Sequence, residues 1–230
     1  MENLFLPLAA VLVCMAQILD YFYLKALRCN LPRRGIFLKT SASLCFLLIG
    51  AIALPHCGQP LLGRLIFAGL LLGFAGDVVL DFRFLFSKRH DLFFALGTLL
   101  FGLGHFFYIA ALLLQNAPAW LPALPVCAAM LVPAKIYTVK RGVQAGKLML
   151  PGTAYIAITC FMGSLAAVIA VRQFSVGTVL FAIGGILFPF SDTILSAYSF
   201  GKNRRFLQSM LLHITYYLAQ CLIAAAIWFF

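Results

Sequence analysis

Apolar stretches long enough to cross a lipid bilayer recur along the whole of this sequence. A membrane-spanning helix needs roughly 20 consecutive apolar residues, and stretches of about that length are separated here only by short polar connections. The predicted spans are Leu4–Leu24, Ile36–Leu54, Leu65–Leu80, Leu92–Leu114, Trp120–Tyr137, Met149–Val171, Gly177–Tyr198 and Phe206–Phe230. Because these stretches are continuous and do not alternate between polar and apolar residues, they predict helices and exclude a transmembrane barrel.

The composition agrees with this pattern and excludes a soluble protein. Only 10% of the 230 residues are charged, whereas soluble proteins have about a quarter. The sequence therefore predicts an all-α polytopic membrane bundle of about eight helices, forming one transmembrane domain over residues 1–230. The first span lacks a basic leader and a clear cleavage site, so we expect it to remain as a helix. A bacterial inner membrane and an endoplasmic reticulum membrane fit this expectation equally well.

The positive charges are distributed unevenly between the two sets of loops. All but two of the 17 Lys and Arg residues lie in or beside the odd-numbered connections, the exceptions being Arg64 and Arg172. Cytoplasmic loops carry the excess of positive charge in membrane proteins, so both termini are predicted to lie outside. Arg83–Arg89 and the pair Arg204 and Arg205 are expected to be solvated topology determinants, with phosphate recognition as the less favoured alternative. Topology thus accounts for the net charge of +11, and no nucleic-acid partner is expected.

Apart from Asp20 near the end of the first span, two aspartates lie inside the predicted spans, Asp77 in the third and Asp192 in the seventh. An ionisable side chain within a span costs about 2.5–3.5 kcal/mol on insertion scales, so such a residue is functional by default. Both spans run in the same direction, which places the two carboxyl groups at similar depth. We therefore expect them to meet in one site, with helix capping or contact between helices as the structural alternative. Pro189 leaves the carbonyl of Gly185 without a helical donor, which predicts a kink and a free acceptor beside Asp192.

Several other polar side chains are expected to share the site and to orient water or substrate. They lie at helical spacing on faces of the fourth, sixth, seventh and eighth spans, and they are His105, Tyr108, Tyr155, Ser191, Tyr216 and Gln220. Gly73 is expected to let a ligand or another backbone approach Asp77. Lys39, at the start of the second span, is expected either to snorkel to the interface or to bind an anionic lipid headgroup.

Four of these segments resemble motifs of the YhhN-like integral membrane proteins, which include the lysoplasmalogenases. The motifs are Gly76–Asp77 followed by Leu80, then Gly97, Phe101, His105 and Tyr108, then Gly185–Asp192, and finally Thr215–Gln220 followed by Leu222 and Ile223. The resemblance implies an ether hydrolase, without a cofactor, that cleaves the vinyl ether bond of lysoplasmalogens. The products would be a fatty aldehyde and glycerophosphoethanolamine or glycerophosphocholine. A lysophospholipid substrate and membrane lipids would be its partners, with Asp77 and Asp192 as catalytic residues.

Vinyl ether hydrolysis suits a pair of carboxyl groups. An acid protonates the β-carbon, and water then attacks the resulting oxocarbenium ion. Two adjacent buried carboxyl groups do not both ionise readily, so Asp77 and Asp192 can divide the roles of acid and carboxylate, and the sequence leaves open which is which.

Two other readings of the same residues stay open. In the first, zinc held by His105, His213, Asp77 and Asp192 serves a metal-dependent intramembrane lipid hydrolase. In the second, the protein is a non-enzymatic lipid-binding or transport protein whose intramembrane acids relay protons. The seven cysteines form no Cys-x-x-Cys pair, so they predict neither a zinc cluster nor a disulfide framework.

Overall fold

The computed structural model describes residues 2–202 and 205–230, which are almost entirely helical and contain no strand. The long helices are α1 (Glu2–Arg28), α2 (Pro32–Ala53), α3 (Pro60–Asp81), α4 (His90–Gln115), α5 (Trp120–Lys140), α6 (Met149–Arg172), α7 (Val176–Phe200) and α8 (Phe206–Ala226). Each belongs to a segment long and apolar enough to cross a membrane. The prediction of an all-α polytopic bundle is confirmed, and the chain is an integral multi-pass membrane protein. Arg204, counted above among the loop cations, lies outside the described residues.

Local sequence signals set where several helices begin. Pro32 and Pro60 lie in the first turns of α2 and α3, where a proline loses no helical hydrogen bond and its fixed φ suits the helix. For this reason α3 begins at Pro60, well before the predicted Leu65. At the start of α7, the side chains of Ser175 and Thr178 each accept a hydrogen bond from the other residue's backbone N–H.

Glycines let α7 approach its neighbours closely. The carbonyl of Gly185 lies against Gly163 of α6, and a methyl group on Gly184 would stand 2.8 Å from a backbone carbonyl oxygen of α8. Small residues at such crossings allow two helix backbones to touch. The Gly185 carbonyl, which Pro189 leaves without a helical donor, is therefore directed at α6. No side-chain hydrogen-bond donor meets this carbonyl among the described residues, and its role as an acceptor beside Asp192 stays a prediction.

Helix pairing determines which side chains reach the interior. The most extensive contacts join α3 with α4, α7 with α8, α1 with α2, and α6 with α7. In addition, α8 contacts α1, α2 and α3, whereas α1 and α5 are the least buried spans. This packing brings the cytoplasmic-end segments of α2, α3, α7 and α8, in the predicted topology, around one interior space.

Candidate functional site

One interior cavity of about 530 Å³ collects polar side chains from several helices. Asp77 of α3, Asp192 of α7, Lys39 of α2 and Tyr216 of α8 all line it. The cavity extends to the helix ends, where the exposed Arg205 forms part of its wall. The two aspartates share this space, although no hydrogen bond joins them directly among the described side chains.

Asp77 is surrounded by hydrogen-bond donors from two neighbouring helices. Its Oδ2 accepts hydrogen bonds from Ser43 Oγ and from Tyr216 OH, both at 2.6 Å. Its Oδ1 lies 3.3 Å from the ammonium nitrogen of Lys39. The residue is only 2% exposed, so these donors take the place of water around the carboxyl group.

Lys39 bridges Asp77 and Asp81, which lie one turn apart on the same face of α3. Its Nζ is 3.1 Å from Asp81 Oδ1, and the same oxygen accepts a hydrogen bond from Tyr23 OH at 3.2 Å. Lys39 is 5% exposed, so the expectation that it snorkels to the interface is wrong. Two carboxyl groups hold it inside the bundle instead. We refer to Lys39, Asp77 and Asp81 as the Lys39 cluster; with all three ionised it carries one net negative charge.

Tyr216 is linked by a chain of hydrogen bonds to Gln220 and Tyr108. Tyr108 OH donates to Gln220 Oε1 at 3.2 Å, and Gln220 Nε2 donates to Tyr216 OH at 3.3 Å. A methyl group on Gly73 would stand 2.7 Å from Gln220 Nε2. This glycine therefore makes room for the Gln220 amide, where the sequence predicted the approach of a ligand or a backbone. Tyr108 and Gln220 line no described cavity and act on Asp77 only through Tyr216.

Asp192 has much sparser surroundings than Asp77. Tyr155 OH donates to its Oδ2 at 2.8 Å, and no other side chain among the described residues forms a hydrogen bond or an ion pair with it. Asp192 and Tyr155 also line a second cavity, of about 380 Å³, between α4, α5, α6 and α7. Because the wall of this second cavity is mostly apolar, Asp192 stands at the boundary between a polar and an apolar space.

Comparison with known proteins identifies the family. A model of the YhhN family matches residues 35–227 of the chain, which is most of its length. The chain belongs to the YhhN family. This is the family of the lysoplasmalogenases, so the resemblance seen in the motifs is confirmed. No curated protein and no solved structure matched the sequence.

The YhhN match contains every site residue predicted from the sequence, but His105 and Ser191, like Tyr108 and Gln220, line neither cavity. His105 donates from Nδ1 to the carbonyl of Phe101 at 2.7 Å, and its buried Nε2 has no hydrogen-bond partner among the described residues. Ser191 Oγ donates to the carbonyl of Phe188 at 2.8 Å. Both side chains donate to a backbone carbonyl of their own helix, and their contact with a substrate stays a prediction.

The structure adds residues of this YhhN protein that the sequence analysis did not place in the site. Asp81 forms one end of the Lys39 cluster, and Ser43 donates a hydrogen bond to Asp77 at the other end. Tyr217, which the sequence does place on the polar face of the eighth span, has its OH 3.2 Å from Ser43 Oγ and donates to the backbone carbonyl of Lys39 at 3.3 Å. Asp81 and Ser43 lie four residues after Asp77 and Lys39 respectively, and this helical spacing is a signal that could have identified them.

The histidines and acids do not gather into a metal site. His213 Nδ1 contacts Asp20 Oδ1 at 2.7 Å, between α8 and α1, while His105 faces neither cavity. Across residues 2–202 and 205–230, no group of three His, Cys, Asp or Glu side chains is arranged to hold a metal ion. The zinc set considered from the sequence, which adds Asp77 and Asp192 to the two histidines, is not assembled in this fold.

Proposed function

We propose that this protein hydrolyses the vinyl ether bond of lysoplasmalogens. The products are a fatty aldehyde and glycerophosphoethanolamine or glycerophosphocholine. One observation carries the proposal: in a chain of the YhhN family, two buried carboxyl groups with different surroundings line the same cavity. Vinyl ether hydrolysis needs one carboxylic acid and a second group that stabilises positive charge, and this pair offers both.

Asp192 is the acid in this proposal. Its single side-chain partner is the Tyr155 hydroxyl, and no described cation is paired with it. Burial without a counter-charge favours a neutral carboxyl group, which is the form that can donate a proton. Asp192 transfers this proton to the β-carbon of the vinyl ether. The carbon–carbon double bond becomes a single bond, and the α-carbon and the ether oxygen share the positive charge.

Asp77 acts as a carboxylate that stabilises this oxocarbenium ion. All three of its side-chain partners are donors, as a carboxylate requires, and the net negative charge of the Lys39 cluster favours a nearby cation. Water attacks the α-carbon and gives its proton to the ionised Asp192. The hemiacetal that forms collapses with transfer of its hydroxyl proton to the glycerol oxygen, which releases the aldehyde and leaves Asp192 protonated again.

The two cavities suit the two ends of such a substrate. The alkenyl chain lies in the apolar second cavity, whose boundary with the first is at Asp192. The glycerophosphate lies in the larger polar cavity, which extends to the helix ends. The scissile bond is then beside Asp192, with the Lys39 cluster on the side of the headgroup.

The test is aldehyde release from lysoplasmenylethanolamine by the purified full-length protein in detergent. We expect Asp192→Asn to lower kcat by about 100- to 10,000-fold, the usual contribution of a general acid. Asp77→Asn is expected to lower it at least about 100-fold. Asp91→Asn is the matched control, because this side chain is 82% exposed at the start of α4 and should leave turnover unchanged.

Each variant is first compared with wild type by its melting temperature in detergent. Full turnover by a folded Asp192→Asn protein would exclude Asp192 as the acid. No aldehyde from wild type, across ethanolamine and choline lysoplasmalogens of several chain lengths, would contradict the proposed reaction and favour a lipid-binding role.

A further inference from the structure

Arg83 is a buried cation without a carboxylate partner among the described residues. It lies in the 3-10 turn Phe82–Phe84 directly after α3 and is only 8% exposed. Its guanidinium carbon is 4.7 Å from the ring centroid of Phe84 and 5.3 Å from that of Phe94. The buried Nε has no hydrogen-bond partner in the described part of the chain. The expectation that the loop cations from this position onward are solvated is therefore wrong at Arg83.

Arg83 faces a cavity in which a ligand can supply the partner that the described side chains do not. It lines the same cavity as Asp77 and Asp192. Asp81, two residues earlier, forms its ion pair with Lys39 instead. Because removing a guanidinium from water is costly unless an anion or hydrogen-bond acceptors replace the water, a buried cation facing a cavity points to an anionic ligand.

Two further arginines line the same cavity where it reaches the helix ends. Arg28 is the last residue of α1, and its guanidinium carbon lies 3.7 Å from the ring centroid of Phe206. Arg205 directly precedes α8. Both are exposed, whereas Arg83 lies deeper. Guanidinium groups from three separate connections thus give one end of the cavity a strong positive charge, while the aspartates lie farther inside.

We propose that Arg83, with Arg28 and Arg205 at the rim, binds the phosphodiester of the lysophospholipid headgroup. This inference rests on the proposed function and specifies how the substrate is held. A guanidinium offers two parallel N–H groups to two phosphate oxygens, whereas the Lys39 ammonium is already held by Asp77 and Asp81.

The spacing along α3 fits this arrangement. Arg83 follows Asp77 by a helical rise of about 9 Å, so a ligand can hold its phosphate at Arg83 and still extend towards the aspartates. A lysoplasmalogen carries its phosphate and its vinyl ether at opposite ends of the glycerol. Recognition through the phosphate alone also predicts that ethanolamine and choline lipids bind with similar affinity.

The test measures binding of a lysophospholipid whose chain is attached through a saturated alkyl ether, which has no double bond to protonate. A radiolabelled form is titrated onto the purified full-length protein in detergent, alongside an alkylglycerol that lacks the phosphate. We expect Arg83→Gln to raise the Kd for the lysophospholipid about 10- to 100-fold and to leave the Kd for the alkylglycerol unchanged. Arg83→Lys, which keeps the charge but not the two parallel N–H groups, should recover part of the affinity.

One control variant and one variant of the rim separate recognition from misfolding. Arg89→Gln removes a nearby exposed cation that does not line the cavity, and it should bind as wild type does. Arg28→Gln changes an exposed rim residue and should weaken only the phosphate-bearing ligand, about threefold. If Arg83→Gln binds the lysophospholipid as tightly as wild type, or loses both ligands equally, the headgroup site is excluded.

The source of the phosphate is tested by competition. Inorganic phosphate that displaces the ether lysophospholipid at lower concentration than glycerophosphoethanolamine does would assign the site to a free ion and overturn the headgroup proposal. The outcome is independent of catalysis. If the ether lysophospholipid binds through Arg83 but no lysoplasmalogen is cleaved, only the proposed reaction fails; if aldehyde is released but Arg83→Gln binds normally, only the headgroup site fails.

Discussion

The two aspartates lie in regions that differ in almost every respect except burial. Around Asp77, the helices α2 and α8 supply two hydroxyl donors and an ammonium group. Around Asp192, between α6 and α7, a single tyrosine hydroxyl stands next to a largely apolar cavity. The same side chain is therefore given two chemical characters by its neighbours. A site for acid catalysis needs this asymmetry, because two identical carboxyl groups would compete for one role.

The comparison also separates stability from chemistry. The region around Asp77 contains mutually dependent buried charges, so a change there is expected to affect folding as well as turnover. The region around Asp192 contains one carboxyl group and one tyrosine, so changes there are expected to affect turnover with little effect on folding. Three predictions test this division.

The largest effect is expected from removing the cation of the first region. Lys39→Met leaves Asp77 and Asp81 buried without their shared counter-charge, which is expected to lower the free energy of unfolding by about 3–5 kcal/mol. The measurement is reversible unfolding of the purified protein in mixed micelles, driven by increasing the fraction of denaturing detergent.

Lys135→Met is the matched control for the second region. Lys135 lines the second cavity but is exposed, and its replacement should change the free energy of unfolding by no more than about 0.5 kcal/mol. Adding Asp77→Asn and Asp81→Asn to Lys39→Met removes the unpaired charges and should restore most of the lost stability. A loss below about 1 kcal/mol in Lys39→Met alone would contradict the mutual dependence of these charges.

A smaller effect is expected from two matched tyrosine variants. Tyr155→Phe removes the only described side-chain partner of Asp192 and is expected to lower kcat about tenfold, because the acid loses its fixed orientation. Tyr216→Phe removes one of three donors to Asp77 and should lower kcat only about threefold, because Ser43 and Lys39 remain. Steady-state kinetics with a lysoplasmalogen separates kcat from KM for each variant. If Tyr216→Phe lowered kcat more than Tyr155→Phe did, turnover would depend more on the hydrogen bonds of Asp77 than on the hydrogen bond of Asp192, which contradicts the prediction.

The two regions also show which features of the fold and the site can be predicted from the sequence. The helices follow from long apolar runs, which are a local property, and their number and order agree with the structure. Asp77 and Asp192 stand out because charge is rare within spans. The pairing of Lys39 with Asp81 was missed because the predicted third span ended at Leu80, one residue before that aspartate, although its spacing from Asp77 places both on one helical face.

Other contacts have no local signal at all. The hydrogen bond from Tyr23 to Asp81 and the pair of Asp20 with His213 depend on how α1 packs against its neighbours, which no spacing within one helix encodes. Arg83 belongs to the same class. Its position in a short loop suggests exposure, and only the packing around Phe94 buries it.

An effect restricted to substrates with long chains is expected from narrowing the apolar cavity beside Asp192. Ala157 of α6 lines this cavity, so Ala157→Phe reduces the space available to an alkenyl chain without touching the polar cavity. For the longest chains we expect kcat/KM to fall about fourfold for each methylene group that no longer fits, because that group loses its apolar burial. Short-chain lysoplasmalogens should be cleaved as by wild type. Leu150→Phe, at an 80% exposed position of the same helix, is the control for added bulk. An equal loss of kcat/KM for all chain lengths, or no loss for any, would mean that the alkenyl chain does not bind in this cavity. The polar and apolar sides of Asp192 would then not bind the two ends of the substrate.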